Sequence, residues 1–176
     1  MHGSADGLES AERIEVNELA AQRAERDSDL VSDVDEDLGR FDLLDESGST
    51  VDLKRYRGQI VAIDFWATWC APCRAVMQQT AELQQRFAGK IAVVAPALDP
   101  EETHAQAAEF LKKMNYGFTL VFDDERRRDI KLQFIPARLL LDQRGRLRFM
   151  EFGHTPESAA LFERKLASLV AADQPQ

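Results

Sequence analysis

Cys70 and Cys73 are the only cysteines among 176 residues, and Ala71 and Pro72 are all that separates them. At this spacing two sulfurs reach each other across one turn of a helix. One thiolate can attack a disulfide, and the other can then resolve the mixed disulfide by closing a small ring. Any disulfide within the monomer must be this pair. The surrounding stretch, Ile60 to Arg74, reads IVAIDFWATWCAPCR. Its apolar run suits a central strand covered on both faces. Pro72 suits the first turn of a helix, where a missing N–H costs nothing. Cys70 is therefore expected at the N-terminal tip of that helix, with Cys73 one turn in. Free N–H groups and the helix dipole favour negative charge at the tip. Cys70 is thus expected to ionise more readily than a free thiol, whose pKa is about 8.5.

Asp64 is the next residue that could do chemistry. A carboxylate inside an apolar strand is costly unless it is paired or protonated. Burial raises its pKa and makes it a usable proton acceptor near neutral pH. The competing reading is an aspartate at a strand edge that reaches solvent. Trp66 and Trp69 read as packing residues first, and Trp69 beside Cys70 could also shield the thiolate and offer a flat apolar surface. Arg74 either adds positive charge near the cysteines or points to solvent. The three histidines suggest no site, and Arg126-Arg127-Arg128 reads as a solvated helix face.

The rest of the chain supplies the elements that hold these residues. Residues 8–26 form a thin amphipathic pattern, read as a solvated or loosely docked helix, with partner docking or a membrane-spacing stalk as the alternative. Residues 27–39 form an acidic linker. A Ca²⁺ loop there lacks the required Gly and Glu. Phe41–Leu44 and Thr50–Leu53 flank a turn and read as a short hairpin. A helix follows the cysteines and stops before Gly89, and Ile91–Leu98 is a second buried strand. Asp99-Pro100-Glu101-Glu102 opens another helix, with Ala107, Phe110, Leu111 and Met114 as its inner face. Thr119–Phe122 is a short strand, and Asp124–Leu132 a short charged helix. Arg138–Leu141 and Leu147–Phe152 form a hairpin. A last helix starts near Thr155-Pro156-Glu157, capped by Thr155, and ends near Ala171. Strands alternating with helices, then a closing hairpin, imply an α/β three-layer sandwich with a central mixed sheet and an N-terminal helical extension. The implied segments are 1–40 (acidic helix and linker), 41–172 (the domain) and 173–176 (tail).

Composition narrows the function classes. Residues 1–40 carry 12 acidic and 4 basic side chains, whereas the other 136 residues are almost balanced, with 19 and 18. The near-neutral body gives no support for nucleic-acid binding. No apolar stretch approaches the ~18 residues of a membrane span, and MHGSADGLES lacks the basic and apolar regions of a signal peptide. Two cysteine pairs at zinc-site spacing are absent, and no metal or other cofactor is implied.

The stretch from Asp64 to Arg74, with VDLKRYRGQ before it, ALDP, FIPARLLLDQRGRL and FGHTPE after it, resembles the thioredoxin superfamily. In particular it resembles the TlpA/ResA-type branch of bacterial envelope thiol–disulfide oxidoreductases, which are often membrane-anchored. The likeness covers about three-quarters of the chain, from Phe41 to Ala171. It implies a thioredoxin-like fold and aligns Pro136 with the superfamily's cis-proline, which faces the cysteine pair. In cis, Pro136 would bring the Ile135 backbone near Cys70, where a client strand could pair; a trans proline starting an edge strand is the alternative. The likeness also implies that Asp64 exchanges a proton with Cys73. Where that branch often carries a Glu three residues after the second cysteine, this chain has Val76, which leaves Asp64 as the sole carboxylate for that role.

These observations imply a protein-disulfide reductase. Cys70 attacks, Cys73 resolves, Asp64 handles the proton, and Trp69, Ala71, Pro72, Ile135 and Pro136 meet the substrate. Its partners would be a disulfide-bearing client and an electron donor, either a membrane thiol transporter in the envelope or a thioredoxin reductase in the cytoplasm. The envelope is the expected compartment and the cytoplasm the alternative. A rival reading has the two thiolates bind Cu(I) for delivery, although no Met or His stands close enough to complete the site. A peroxidase of the peroxiredoxin type would need its Thr farther from the cysteine than Thr68 lies from Cys70, and an upstream proline.

Overall fold

The computed structural model of the protein describes residues 43–122, 132 and 134–172. The expected helix over 8–26, the acidic linker, the tail and nearly all of the charged segment 124–132 lie outside the described residues.

The centre of the fold is the strand Ile60–Phe65 (β3), all six of whose residues are buried. Burying a side chain such as Ile63 or Phe65 contributes about 1.5–3 kcal/mol, and this run of apolar residues is what allows the chain to place Asp64 among them. Ile91–Ala97 (β4) lies parallel to β3, and Thr119–Phe122 (β5) lies parallel to β4. On the other side Ala137–Leu141 (β6) is antiparallel to β3 and pairs in turn with Leu147–Phe152 (β7). The short hairpin Leu43–Leu44 (β1) and Thr50–Val51 (β2) adds to the far edge through β5. The strand order is β2-β1-β5-β4-β3-β6-β7, a mixed sheet.

Among the described residues three α-helices cover it: α1 over Ala71–Arg86, α2 over His104–Met114 and α3 over Pro156–Ala172. Alternate residues of β3 serve the two faces. Ile60 and Ala62 pack with Leu83 of α1 and with Phe162, Leu166 and Val170 of α3. Val61, Ile63 and Phe65 pack in the other cluster with Ala107 and Leu111 of α2. The result is the expected three-layer sandwich with a thioredoxin-like fold.

Local chemistry explains where the helices begin and end. Phe87 N–H bonds the Leu83 carbonyl at 3.0 Å, and the chain then turns at Gly89, whose φ of +81° favours a residue without a Cβ. Thr155 caps α3: Ser158 N–H donates to Thr155 Oγ1 at 3.1 Å, and Thr155 N–H donates back to Ser158 Oγ at 3.0 Å. The helix expected from Asp99 starts differently. A 3-10 turn at Glu101–Thr103 precedes α2, and the Asp99 carboxylate does not cap it. On the expected inner face, Ala107 and Leu111 are buried and Phe110 packs half-buried against the core. Met114, at the helix end, is exposed.

Candidate active site

Cys70 is the N-cap of α1, Pro72 stands in the first turn, and no acidic side chain occupies that turn. Cys70 and Cys73 are joined as a disulfide, with Cα atoms 5.4 Å apart. Both are buried, whereas Trp69 beside them is 67% exposed. The expectation that both tryptophans are packing residues therefore holds only for Trp66. Trp66 pairs with Ala97 as an isolated bridge, and its indole packs 5.4 Å from the Phe110 ring. Trp69 cannot join that core because it lies beyond the last strand pairing, in the turn that feeds the helix.

This turn is held by Asp99, whose part was not foreseen. Its buried carboxylate accepts from Thr68 N–H at 3.0 Å, and the Thr68 hydroxyl also donates to it. Parallel strands β3 and β4 end side by side, so the residues just past each meet. That adjacency is the signal that could have revealed the tie. His104, also unassigned beforehand, stacks on Phe122 at 3.7 Å and lies 3.1 Å from the Asp99 carbonyl oxygen. Arg74 is exposed, as the solvent-pointing reading expects, and its guanidinium lies 5.4 Å over the Phe110 ring.

Pro136 follows a cis Ile135–Pro136 bond. Because Ala137 pairs with Phe65, Pro136 lies at the sheet end from which the Trp66–Cys70 segment departs. Gly153 N–H donates to the Pro136 carbonyl at 2.8 Å. Phe134, 53% exposed, packs against Phe152 at this end with ring centres 5.5 Å apart.

Asp64 is 1% exposed, which rules out the strand-edge reading. Neither carboxylate oxygen has a hydrogen-bond partner. Burial pushes its pKa up to about 6, with the Arg138 charge and the Thr80 hydroxyl pulling the other way. The Thr80 hydroxyl bonds the Val76 carbonyl at 3.2 Å, so its contribution to Asp64 is small. Cys73 and Thr80 are seven residues apart and share one stripe of α1. Asp64 thus sits beneath the helix face that Thr80 shares with Cys73.

Asp64 has a buried carboxylate for a neighbour, which the sequence reading did not include. Glu151 of β7 is also buried, and burial pushes its pKa up against the pull of Arg138. Arg138 lies between the two acids in the strand register, opposite Asp64 on one side and Glu151 on the other. Two interacting acids of this kind titrate as a pair. The pattern was present in the chain: Arg138 shares strand parity with buried Leu140, and Glu151 with buried Phe149.

Among the described residues, no group of three or more His, Cys, Asp and Glu could hold a metal ion. Among the described residues, no helix is long and apolar enough to cross a membrane.

Three comparisons bear on this arrangement. A family model described as the AhpC/TSA family matches residues 34–150. The thioredoxin-like protein YneN of Bacillus subtilis is 31% identical over 115 residues, which is 64% of this chain and 68% of that protein. The thiol-disulfide oxidoreductase ResA of Bacillus thuringiensis is 28% identical over 117 residues, 65% of this chain and 67% of that one. A crystal structure from Chlorobium tepidum, described as a thiol:disulfide interchange protein DsbE, superposes with a TM-score of 0.69 at 27% identity. It covers 79% of this chain and 99% of that one.

Proposed function

Because the chain belongs to the AhpC/TSA family and is a thiol–disulfide oxidoreductase, we propose that it works as a reductase of protein disulfides with Cys70 as the attacking thiol. In the reduced protein Cys70 carries the thiolate, stabilised by the N–H groups and dipole of α1. It attacks one sulfur of a client disulfide and releases the other as a thiol. Cys73 then gives its proton to Asp64 and attacks Cys70, closing the Cys70–Cys73 disulfide and freeing the client's second sulfur. Two electrons pass to the client, and a donor must return them.

The client docks on exposed Trp69, on Ala71 and Pro72 at the helix start, and on the backbone at Ile135 and Pro136. The Ala-Pro dipeptide and a buried Asp64 favour a reductant over a strong oxidant. The working compartment in this reading is the bacterial envelope, where a membrane thiol transporter supplies electrons; in the cytoplasm a thioredoxin reductase would do so. The residue segments 1–40, 41–172 and 173–176 remain the proposed division of the chain.

The observation that carries this reading is the joined pair at the start of α1, with Cys70 as the N-cap. Insulin-disulfide reduction by dithiothreitol tests it. The parent protein accelerates the reaction, and Cys70→Ser returns it to the uncatalysed rate. Equal rates for the two would contradict the reading.

A further inference from the structure

A polar cluster lies within the apolar layer under α1. Asp64, Arg138 and Glu151 stand abreast on β3, β6 and β7, so their side chains leave the sheet on one face. Arg138 Nε donates to Glu151 Oε1 at 2.6 Å, and Nη2 is ion-paired with the same oxygen. Arg138 Nη1 donates to Gln79 Oε1 at 3.0 Å and to Thr80 Oγ1 at 3.4 Å. The guanidinium carbon lies 3.6 Å from the Phe162 ring centre. Both oxygens of Asp64 and the second oxygen of Glu151 have no hydrogen-bond partner.

Two carboxylates therefore share one cation, and three of their four oxygens are bare. If both were ionised, an uncompensated negative charge would be left in a dry layer, which is strongly disfavoured. The groups that face Asp64 offer no other compensation among the described residues. β4 carries no charged residue in Ile91–Ala97. α1 presents Gln79 and Thr80, and α3 presents Phe162. Lys165 of α3 is farther along, over Phe149 at 6.0 Å. The cluster thus takes up a proton more readily than a free carboxylate does. Glu151 holds two guanidinium nitrogens, so it is the acid better able to remain charged. What is left of the Arg138 charge only weakly favours ionised Asp64, so Asp64 is the acid that most readily takes up a proton.

We propose that Glu151, acting through Arg138, is a positioning residue that sets how strongly Asp64 takes the proton from Cys73. This rests on Asp64 as the proton acceptor described above. In the mixed disulfide the Cys73 S–H proton passes to the ionised Asp64 carboxylate. The Cys73 sulfur bonds Cys70, the Cys70–client bond breaks, and the electron pair leaves on the client sulfur, which takes a proton from solvent. By occupying Arg138, Glu151 keeps Asp64 basic enough to serve near neutral pH. Without the Glu151 charge, Arg138 would favour the ionised form of Asp64, and the same proton would be taken only weakly.

The reaction of the reduced protein with 5,5′-dithiobis(2-nitrobenzoate) separates the steps, since the first coloured thiol reports attack by Cys70 and the second reports resolution by Cys73. The readout is the pH at which the second step is half-maximal. Glu151→Gln keeps an oxygen for Arg138 and removes the charge. It moves that midpoint toward acid by about one pH unit or more, while Glu151→Asp keeps the parent midpoint. Asp64→Asn abolishes the inflection, and the Asp64→Asn/Glu151→Gln double variant behaves as Asp64→Asn alone. A Glu151→Gln profile that overlays the parent, with Asp64→Asn still losing the inflection, overturns the role of Glu151 alone. So does a Glu151→Asp shift as large as that of Glu151→Gln, which would mark a packing role. An inflection that survives Asp64→Asn overturns the Asp64 reading and this one together.

Discussion

Asp64 and Asp99 are both buried carboxylates, yet their surroundings give them opposite tasks. Asp99 is satisfied by the Thr68 N–H and hydroxyl, whereas Asp64 has no hydrogen bond at all. Asp64 therefore holds a proton in the folded state to about pH 6, against an ordinary value of 3.8. Between those values the folded protein binds more protons than the unfolded chain, so stability falls as pH rises through the window and stays lower above it. The difference corresponds to something on the order of 3 kcal/mol. Asp64→Asn is expected to raise the unfolding free energy by about that much at pH 8 and to leave it nearly unchanged at pH 4, as read by urea denaturation at both pH values. Asp99→Ala acts in the other direction. It leaves two half-buried donors of Thr68 without their acceptor and is expected to cost about 1–2 kcal/mol in the same assay.

At the scale of elements, the strand-to-helix junction was the most legible part of the chain. Five apolar residues around a single Asp, running into a Pro-bearing turn, leave few alternatives, and β3, Cys70 at the cap and Cys73 within the first turn all appear where expected. The hairpin β6–β7 was equally plain, but its inward charges were not. An Arg or Glu in a strand reads as solvated because single residues of that type almost always are. Only the register, which sets Arg138 between Asp64 and Glu151, turns them into a buried group. The packing role of Trp69 and the start of α2 were misread for a related reason: pairing between strand ends, which the sequence does not display, decides what is covered there. The empty first turn of α1 makes its own prediction. A carboxylate placed at exposed position 71 is itself favoured by the helix dipole and, on the same scale of about 0.3–1 kcal/mol, disfavours a second negative charge at Cys70. Ala71→Glu is thus expected to slow alkylation of Cys70 by iodoacetamide at pH 7 by about twofold to fivefold, with the oxidised protein as stable as the parent by thermal melting.

For the molecule as a whole, topology gathers the chemistry at one end of the sheet. The parallel strands β3 and β4 release the Cys70 turn and Asp99 there, and antiparallel β6 enters there at Pro136. Exposed Trp69 and Phe134 add apolar surface near the same end. That end is where a client must approach, and removal of the indole in Trp69→Ala is expected to slow reduction of protein disulfides more than reduction of a small-molecule disulfide, measured side by side. The whole arrangement depends on one property, cheap ionisation of the thiol at the tip of α1. The direct measurement is the pH dependence of Cys70 alkylation in the reduced protein, followed by mass spectrometry so that Cys73 is counted separately. The account predicts a midpoint clearly below the ordinary thiol value of about 8.5. A midpoint at or above that value would contradict it.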